Sequence, residues 1–330
     1  MNRNLPRRLP VVLGLLLVAQ AIFPAFAHAR QYHFTRVLHR GDQGDDVRAL
    51  NVRVAGWYPG SRTQSRFRIS KHYWAKTEQA VEAFQSFYGL TVDGVAGPEV
   101  FAVLDKLGDR DGSTAHFDYS EFVQNRNPAC SAKANAYAGT FSGGMVASRK
   151  AKRNARHLMW RLEAVRAKGR SNSIGINSGF RSVAYNKCIG GAGLSQHLYG
   201  NAADNRMAKI DNRKERLIAE RSDFSGVACY SAATHNHFDL RLENAALDSS
   251  RFWWWPDRNK KGQDLDENGR PCWGQSSLAT ASSPTNAVAL RTTPAILAMV
   301  RDGSATAGSL IPTAAEVQAF EAAGETGRGD

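Results

Sequence analysis

The chain is 330 residues long, 42% hydrophobic and 22% charged, with a formal charge of +13. That composition excludes a fibrous or wholly disordered protein and leaves room for two modest domains. The basic excess suits an anionic partner such as a cell wall or an acidic polymer; no nucleic-acid-binding motif accompanies it, and no nucleic acid is expected as a partner.

The first residues read as a targeting segment. Arg3, Arg7 and Arg8 precede the apolar run VVLGLLLVAQAIF, and AFA or AHA, ending at Ala27 or Ala29, offers a small-residue cleavage site. Residues 1–29 are therefore expected to be a secretory signal peptide. The run is shorter than the roughly 18–20 residues of a membrane span, so no stable span is expected after cleavage. The expected location is secreted or wall-associated, extracellular or periplasmic. Arg7 and Arg8 leave both the general and the twin-arginine export routes open. Four cysteines, Cys130, Cys188, Cys229 and Cys272, imply two disulfides in an exported chain, with three connectivities open.

Residues 35–107 form the first expected domain. In GDQGDDVRALNVRV, Val47, Leu50 and Val54 recur at helical spacing, with Asp45 or Asp46 as cap. A basic connection, SRTQSRFRISKHYW, follows. In TEQAVEAFQSFYGL, Ala80, Val81, Phe84 and Tyr88 make a second apolar stripe that Gly89 ends. Pro98 opens a third helix with Val100, Phe101, Leu104 and Leu107 inward. These segments resemble the bacterial peptidoglycan-binding domain, whose pattern is G-x-x-G-x-x-V-x-x-L followed by A-V-x-x-F-Q-x-x-x-G-L-x-x-D-G-x-x-G. Asn51 stands where that family usually has Gln. The resemblance implies a three-helix bundle that docks on wall polymer.

Residues 108–116 read as a linker and residues 117–274 as a second domain. ASRKAKRNARHLMWRLEAVRAKG predicts a long basic helix with Leu158, Met159, Leu162 and Val165 inward. SIGINSGFR predicts a short strand burying Ile174 and Ile176. RFWWWPD (251–257) reads as an aromatic lid on the core, and DLDENG (264–269) as a solvated turn, since Gln275 stands where a calcium loop needs its twelfth-position carboxylate. Residues 275–330, rich in Ala, Ser, Thr and Gly, read as a low-complexity tail.

Two segments carry chemistry. SQHLYGNAAD places His197 seven residues before Asp204. In THNHFDLRL, strand periodicity puts His235, His237, Asp239 and Arg241 on one face and Phe238, Leu240 and Leu242 on the other. Two imidazoles and a carboxylate suit zinc with one coordination position open.

SGFRS, SQHLYGNAAD and HNHFD together resemble the zinc D-Ala-D-Ala carboxypeptidase family, which includes D,D- and L,D-peptidases of wall peptides and is structurally related to the hedgehog signalling domain. Its S-x-H-x-x-G-x-A-x-D motif is met at Ser195, His197, Gly200, Ala202 and Asp204, and its closing H-x-H at His235 and His237. The implied fold class is α+β: a hedgehog-like zinc domain with a small antiparallel sheet behind the helical bundle. The implied zinc ligands are His197, Asp204 and His237. Arg181 would hold the substrate carboxylate or carbonyl, and Ser195 would contact substrate or orient His197. Several relatives place an acidic general base where this chain has Thr234. The remaining catalytic candidates are His235, favoured because imidazole titrates in the useful range, and Asp239, with support of a ligand as its other reading.

The expected function is a secreted zinc peptidase of peptidoglycan stem peptides, first a D-alanyl-D-alanine carboxypeptidase. The alternatives are a D,D- or L,D-endopeptidase that cuts cross-links, or a non-catalytic wall-binding protein with a vestigial metal site. Peptidoglycan is the expected partner and the chain is expected to be a monomer.

Overall fold

The structure, a computed structural model, describes residues 32–59, 67–229 and 235–243, together with the backbone of 253–255. The expected signal segment (1–29), Thr234, Cys272, the expected turn at 264–269 and residues 275–330 lie outside these residues.

The N-terminal unit holds α1 (Asp45–Val54), α2 (Ala75–Tyr88) and α3 (Pro98–Leu107). Leu50, Val81, Phe84 and Leu104 meet in its core. Gly44, rather than either aspartate, is the N-cap of α1. Asp45 and Asp46 occupy the first turn, where their charge still faces the positive end of the helix dipole. Gly89 ends α2 in the left-handed conformation, with its N–H on the Gln85 and Ser86 carbonyls. The unusual Asn51 is fully buried and ties three segments together. Its Nδ2 donates to Ser70 O at 2.9 Å, and its Oδ1 accepts from the Thr77 hydroxyl at 2.8 Å.

The C-terminal unit sets α4 (Ser148–Lys168) against a sheet. Its strands are β1 (Ile174–Ser178), β2 (Ala202–Met207), β3 (Gly226–Cys229), β4 (Asn236–Asp239) and β5 (Trp253–Trp255), in the order β1-β2-β4-β3-β5. The first four pair antiparallel, as expected. Trp253–Trp255 adds an edge strand parallel to β3, an addition to the predicted all-antiparallel sheet. Two shorter helices, α5 (Val183–Cys188) and α6 (Asn212–Glu220), flank it. Leu158, Met159, Leu162 and Val165 of α4 are fully buried with Phe224, Val227 and Phe238, as the helical spacing predicts.

The helical spacing marks only that stripe of α4 as inward, yet Trp160 and Ala164, on its other side, belong to the N-terminal core. Arg53 of α1 lies 5.2 Å from the Trp160 ring centroid. Gly56 sits so close to α4 that a Cβ there would lie 2.6 Å from the Ala164 Cβ. The Lys168 ammonium donates to Gly56 O at 2.8 Å, and burial lowers its pKa to about 7. Residues 108–116, read as a linker, pack on the same helix. Gly108 bridges to Thr114 and Thr114 to Phe117, and the His116 backbone N–H donates to the buried Glu163 carboxylate at 3.1 Å. A turn whose polar groups are satisfied locally and against α4 packs rather than swings. The two units therefore share one apolar seam. Among the described residues, no helix is long and apolar enough to cross a membrane.

Candidate metal centre

Three elements bring the ligand candidates together. His197 lies in a 3-10 turn, Gln196–Tyr199, that ends at Gly200 in the left-handed conformation. A Cβ on Gly200 would lie 2.5 Å from Ala151 O of α4, so both the turn and the close approach require glycine. The chain then enters β2, where Asp204 pairs directly with His237 of β4. Ala203, on the opposite face of β2 from Asp204, is fully buried in the core and anchors the strand.

His197, Asp204 and His237 are all buried, with one candidate ligand atom from each within 4.8 Å of the others. Nδ1 of His197 hydrogen-bonds Gly179 O, so that nitrogen carries the proton and Nε2 presents a lone pair. Nε2 of His237 lies 3.1 Å from Asp239 Oδ2, so Nε2 donates and Nδ1 faces inward. His197 Nε2, His237 Nδ1 and Asp204 Oδ1 then stand 2.9–3.2 Å apart. Three lone pairs converge at one point, an arrangement that repels itself unless a cation fills it. Two imidazole nitrogens and one carboxylate oxygen match zinc, with each ring oriented by a bond to its other nitrogen. The donor set fits the metal.

The electrostatics agree. Burial, then the Arg181 charge, lowers the His197 pKa to about 4, so this ring is neutral near pH 7. Burial opposes charge on His237 too, but Asp204 and Asp239 outweigh it and raise its pKa. Despite burial, the two histidines hold Asp204 well below the usual carboxylate range.

The other candidates fall around this centre. Asp239 is fully buried and accepts from the Arg241 backbone N–H and Nε, both at 3.0 Å, besides His237. Burial works against its charge, yet the bonds from His237 and Arg241 lower its pKa to about 2. Arg241 lies in a 3-10 turn beyond β4, because the strand ends at Asp239 rather than continuing through Leu242. His235 immediately precedes β4 and is half-buried. Arg181 donates through Nε to Ser178 Oγ at 2.9 Å and through its terminal nitrogen to Asp204 Oδ2, and its backbone N–H reaches His197 O at 3.0 Å. It braces the Asp204 carboxylate, a contact the sequence did not predict. Ser195 starts the 3-10 turn without a side-chain cap bond. Two further residues shape the centre. Gly179 supplies the carbonyl for His197 and packs so tightly on Phe122 that a Cβ would lie 2.6 Å away. Gly226 leaves the space that the Asp239 carboxylate fills. The S-G-F-R segment contained the first of these; nothing in the sequence singled out the second.

Cys130 and Cys188 form a disulfide, which settles one bond of the three open connectivities and ties the irregular segment before α4 to α5.

Residues 119–239 match the Peptidase M15 family model, and residues 43–104 match that of a putative peptidoglycan binding domain. The chain is 39% identical over 173 residues to the zinc D-Ala-D-Ala carboxypeptidase of Streptomyces albus G, covering 52% of this chain and 62% of that protein. It is 31% identical over 143 residues to the N-acetylmuramoyl-L-alanine amidase CwlM of Mycobacterium tuberculosis, covering 41% and 33%. The chain thus spans under two thirds of the length of either relative. The His197-Asp204-His237 centre thus falls inside the stretch similar to Peptidase M15, and most of the three-helix unit inside the stretch similar to a peptidoglycan-binding domain.

Proposed function

We propose that this protein is an exported zinc peptidase that removes the terminal D-alanine from peptidoglycan stem peptides while its N-terminal unit rests on the wall polymer. The observation that carries the reading is the convergence of three lone pairs from His197, Asp204 and His237, in a domain similar to a zinc D-Ala-D-Ala carboxypeptidase. The basic chain suits an acidic polymer.

Zinc held by these three residues would supply Lewis acidity toward the scissile carbonyl and a water of lowered pKa. The residues of the chain do the rest. Gly179 and Asp239 fix the two rings in the tautomers that point their free nitrogens inward. Arg181 holds Asp204 and presents its guanidinium at the edge of the site, 12% exposed, where it can also meet a substrate carboxylate. Asp239, saturated by His237 and Arg241, acts as a positioning residue. Proton transfer then falls to His235, an imidazole two residues from His237 along the chain.

Mass spectrometry of defined muropeptides tests this reading. Loss of one terminal D-alanine is expected for the zinc-loaded chain and its absence for His197→Ala. Conversion of cross-linked dimers to monomers would instead assign endopeptidase activity. Full activity in His235→Ala would remove the proposed proton acceptor. Zinc-loaded protein inert on every muropeptide would end the enzyme reading.

A further inference from the structure

We infer that Tyr137, Met145, Val183 and Leu194 form an apolar rim beside the metal centre that receives the methyl-bearing residues of the substrate peptide, an inference that rests on the peptidase reading above. Among the described residues, seven large hydrophobic side chains are strongly exposed, and these four are 42–67% exposed. Their positions are not scattered. Leu194 precedes the 3-10 turn that carries His197, and Val183 follows Arg181 by two residues.

The segment bearing Tyr137 and Met145 is laid directly on those two stretches. Val183 N–H donates to Gly143 O at 2.8 Å, and Met145 N–H to Leu198 O at 2.9 Å. Between these bonds, Gly144 is so close that a Cβ would lie 2.5 Å from Leu198 O and from the Phe180 ring. The Tyr137 ring covers Gly143, where a Cβ would lie 2.4 Å from it. This segment has no regular secondary structure of its own. The Cys130–Cys188 disulfide fastens it to α5, which also carries Val183. Val183 and Leu194 thus lie within three residues of Arg181 and His197, and Tyr137 and Met145 are held beside them by the segment bonded to the same stretches.

A face that is apolar at the side chains and cationic at Arg181 matches a peptide end with small alkyl side chains and a terminal carboxylate. Covering one methyl group changes affinity by about fourfold, so the rim would distinguish alanine from glycine at the cleaved end.

The test uses the full zinc-loaded chain and two synthetic stem pentapeptides, one ending in D-Ala-D-Ala and one in Gly-Gly. The variants are Met145→Ser, Val183→Ser and Leu194→Ser, singly and combined, with Met145→Leu as the conservative control. Zinc content and melting temperature are expected to stay at the wild-type level, because the side chains are exposed. KM for the alanine peptide is expected to rise about three- to tenfold per serine, with kcat within twofold and KM for the glycine peptide nearly unchanged; Met145→Leu should restore the wild-type value. Wild-type kinetics in every variant would overturn the rim while leaving the peptidase reading intact. Wild-type chain that holds zinc and cleaves neither peptide would overturn both. A dimer seen by analytical ultracentrifugation that the serine variants dissociate at unchanged KM would assign the patch to a second copy of the chain and overturn the rim.

Discussion

Asp239 accepts the Nε2 proton of His237 at 3.1 Å and so turns Nδ1 of the same ring toward Asp204, 2.9 Å away. Two residues of one short strand thereby settle a tautomer that a metal requires. The carboxylate is itself held by Arg241 from the turn that ends the strand. The chain of bonds runs from backbone turn to guanidinium to carboxylate to imidazole, and it stops at the point where the three lone pairs meet.

Asp239→Asn breaks this order with almost no change in volume. An amide nitrogen offered to Nε2 favours the tautomer that protonates Nδ1, the atom that must stay bare. Bonds of this kind behind a ligand are typically worth 10–100-fold in metal affinity. Competition against a fluorescent chelator should show zinc affinity reduced by about that factor. Wild-type affinity in the variant would mean that His237 takes its orientation from elsewhere.

Gly226→Ala approaches the same carboxylate sterically. The new Cβ would lie 2.3 Å from the Asp239 carboxylate, which is buried and has nowhere to retreat. Overpacking of this sort costs about 1–3 kcal/mol. Thermal unfolding of the metal-free protein should show that loss, and chelator competition a weaker site. A variant with unchanged melting and zinc affinity would show that the β3 backbone yields without disturbing the carboxylate.

Zinc binding should expel a proton. The folded pKa of His237 is raised above its ordinary value of about 6.5. Its proton therefore stabilises the metal-free fold fully below about pH 6.5, and that contribution is lost as pH rises through the folded pKa. Zinc competes with that proton, so affinity should climb with pH across the same window. Titration calorimetry near neutral pH, in buffers of different ionisation enthalpy, should report a release approaching one proton per zinc and falling toward zero at higher pH. No release near pH 6.5 would place the proton elsewhere.

Much of this centre is legible in the sequence because its spacing obeys simple periodicities. His197 and Asp204 flank a tight turn and the start of a strand, and His237 and Asp239 share a strand face. Arg241 escaped the strand rule because β4 ends two residues before it. Its bond to Asp239 depends on the following turn, whose geometry no alternation encodes. The family resemblance implied a substrate contact for Arg181, and the structure pairs its guanidinium with the Asp204 carboxylate of the protein itself. The seam between the two units was missed for a similar reason. The helical period of α4 marks one apolar stripe through Leu158, Leu162 and Val165, but Trp160 and Ala164 lie on the remaining face among basic residues. Only the neighbouring unit shows that this second face is buried.

That seam yields the last prediction. Gly56 meets α4 where a Cβ would lie 2.6 Å from the Ala164 Cβ and 3.2 Å from the Arg161 Cα. Ala164 is fully buried, and an α-helical backbone cannot give way locally, so Gly56→Ala must push the two units apart. The move stretches the Lys168 bond to Gly56 O and the Phe67 bond to Asp223, now 2.8 and 3.1 Å. A cost of about 1–3 kcal/mol is expected, read as a lower melting temperature or as separation of one calorimetric transition into two. Zinc affinity should be unchanged, because His197, Asp204 and His237 are held by the turn and the sheet rather than by the seam. A single transition at the wild-type temperature would mean that the seam accommodates a methyl group and that the N-terminal unit is held to the C-terminal unit less tightly than the contact implies. Loss of zinc affinity without a change in melting would instead reveal a route from the seam to the metal centre through α4.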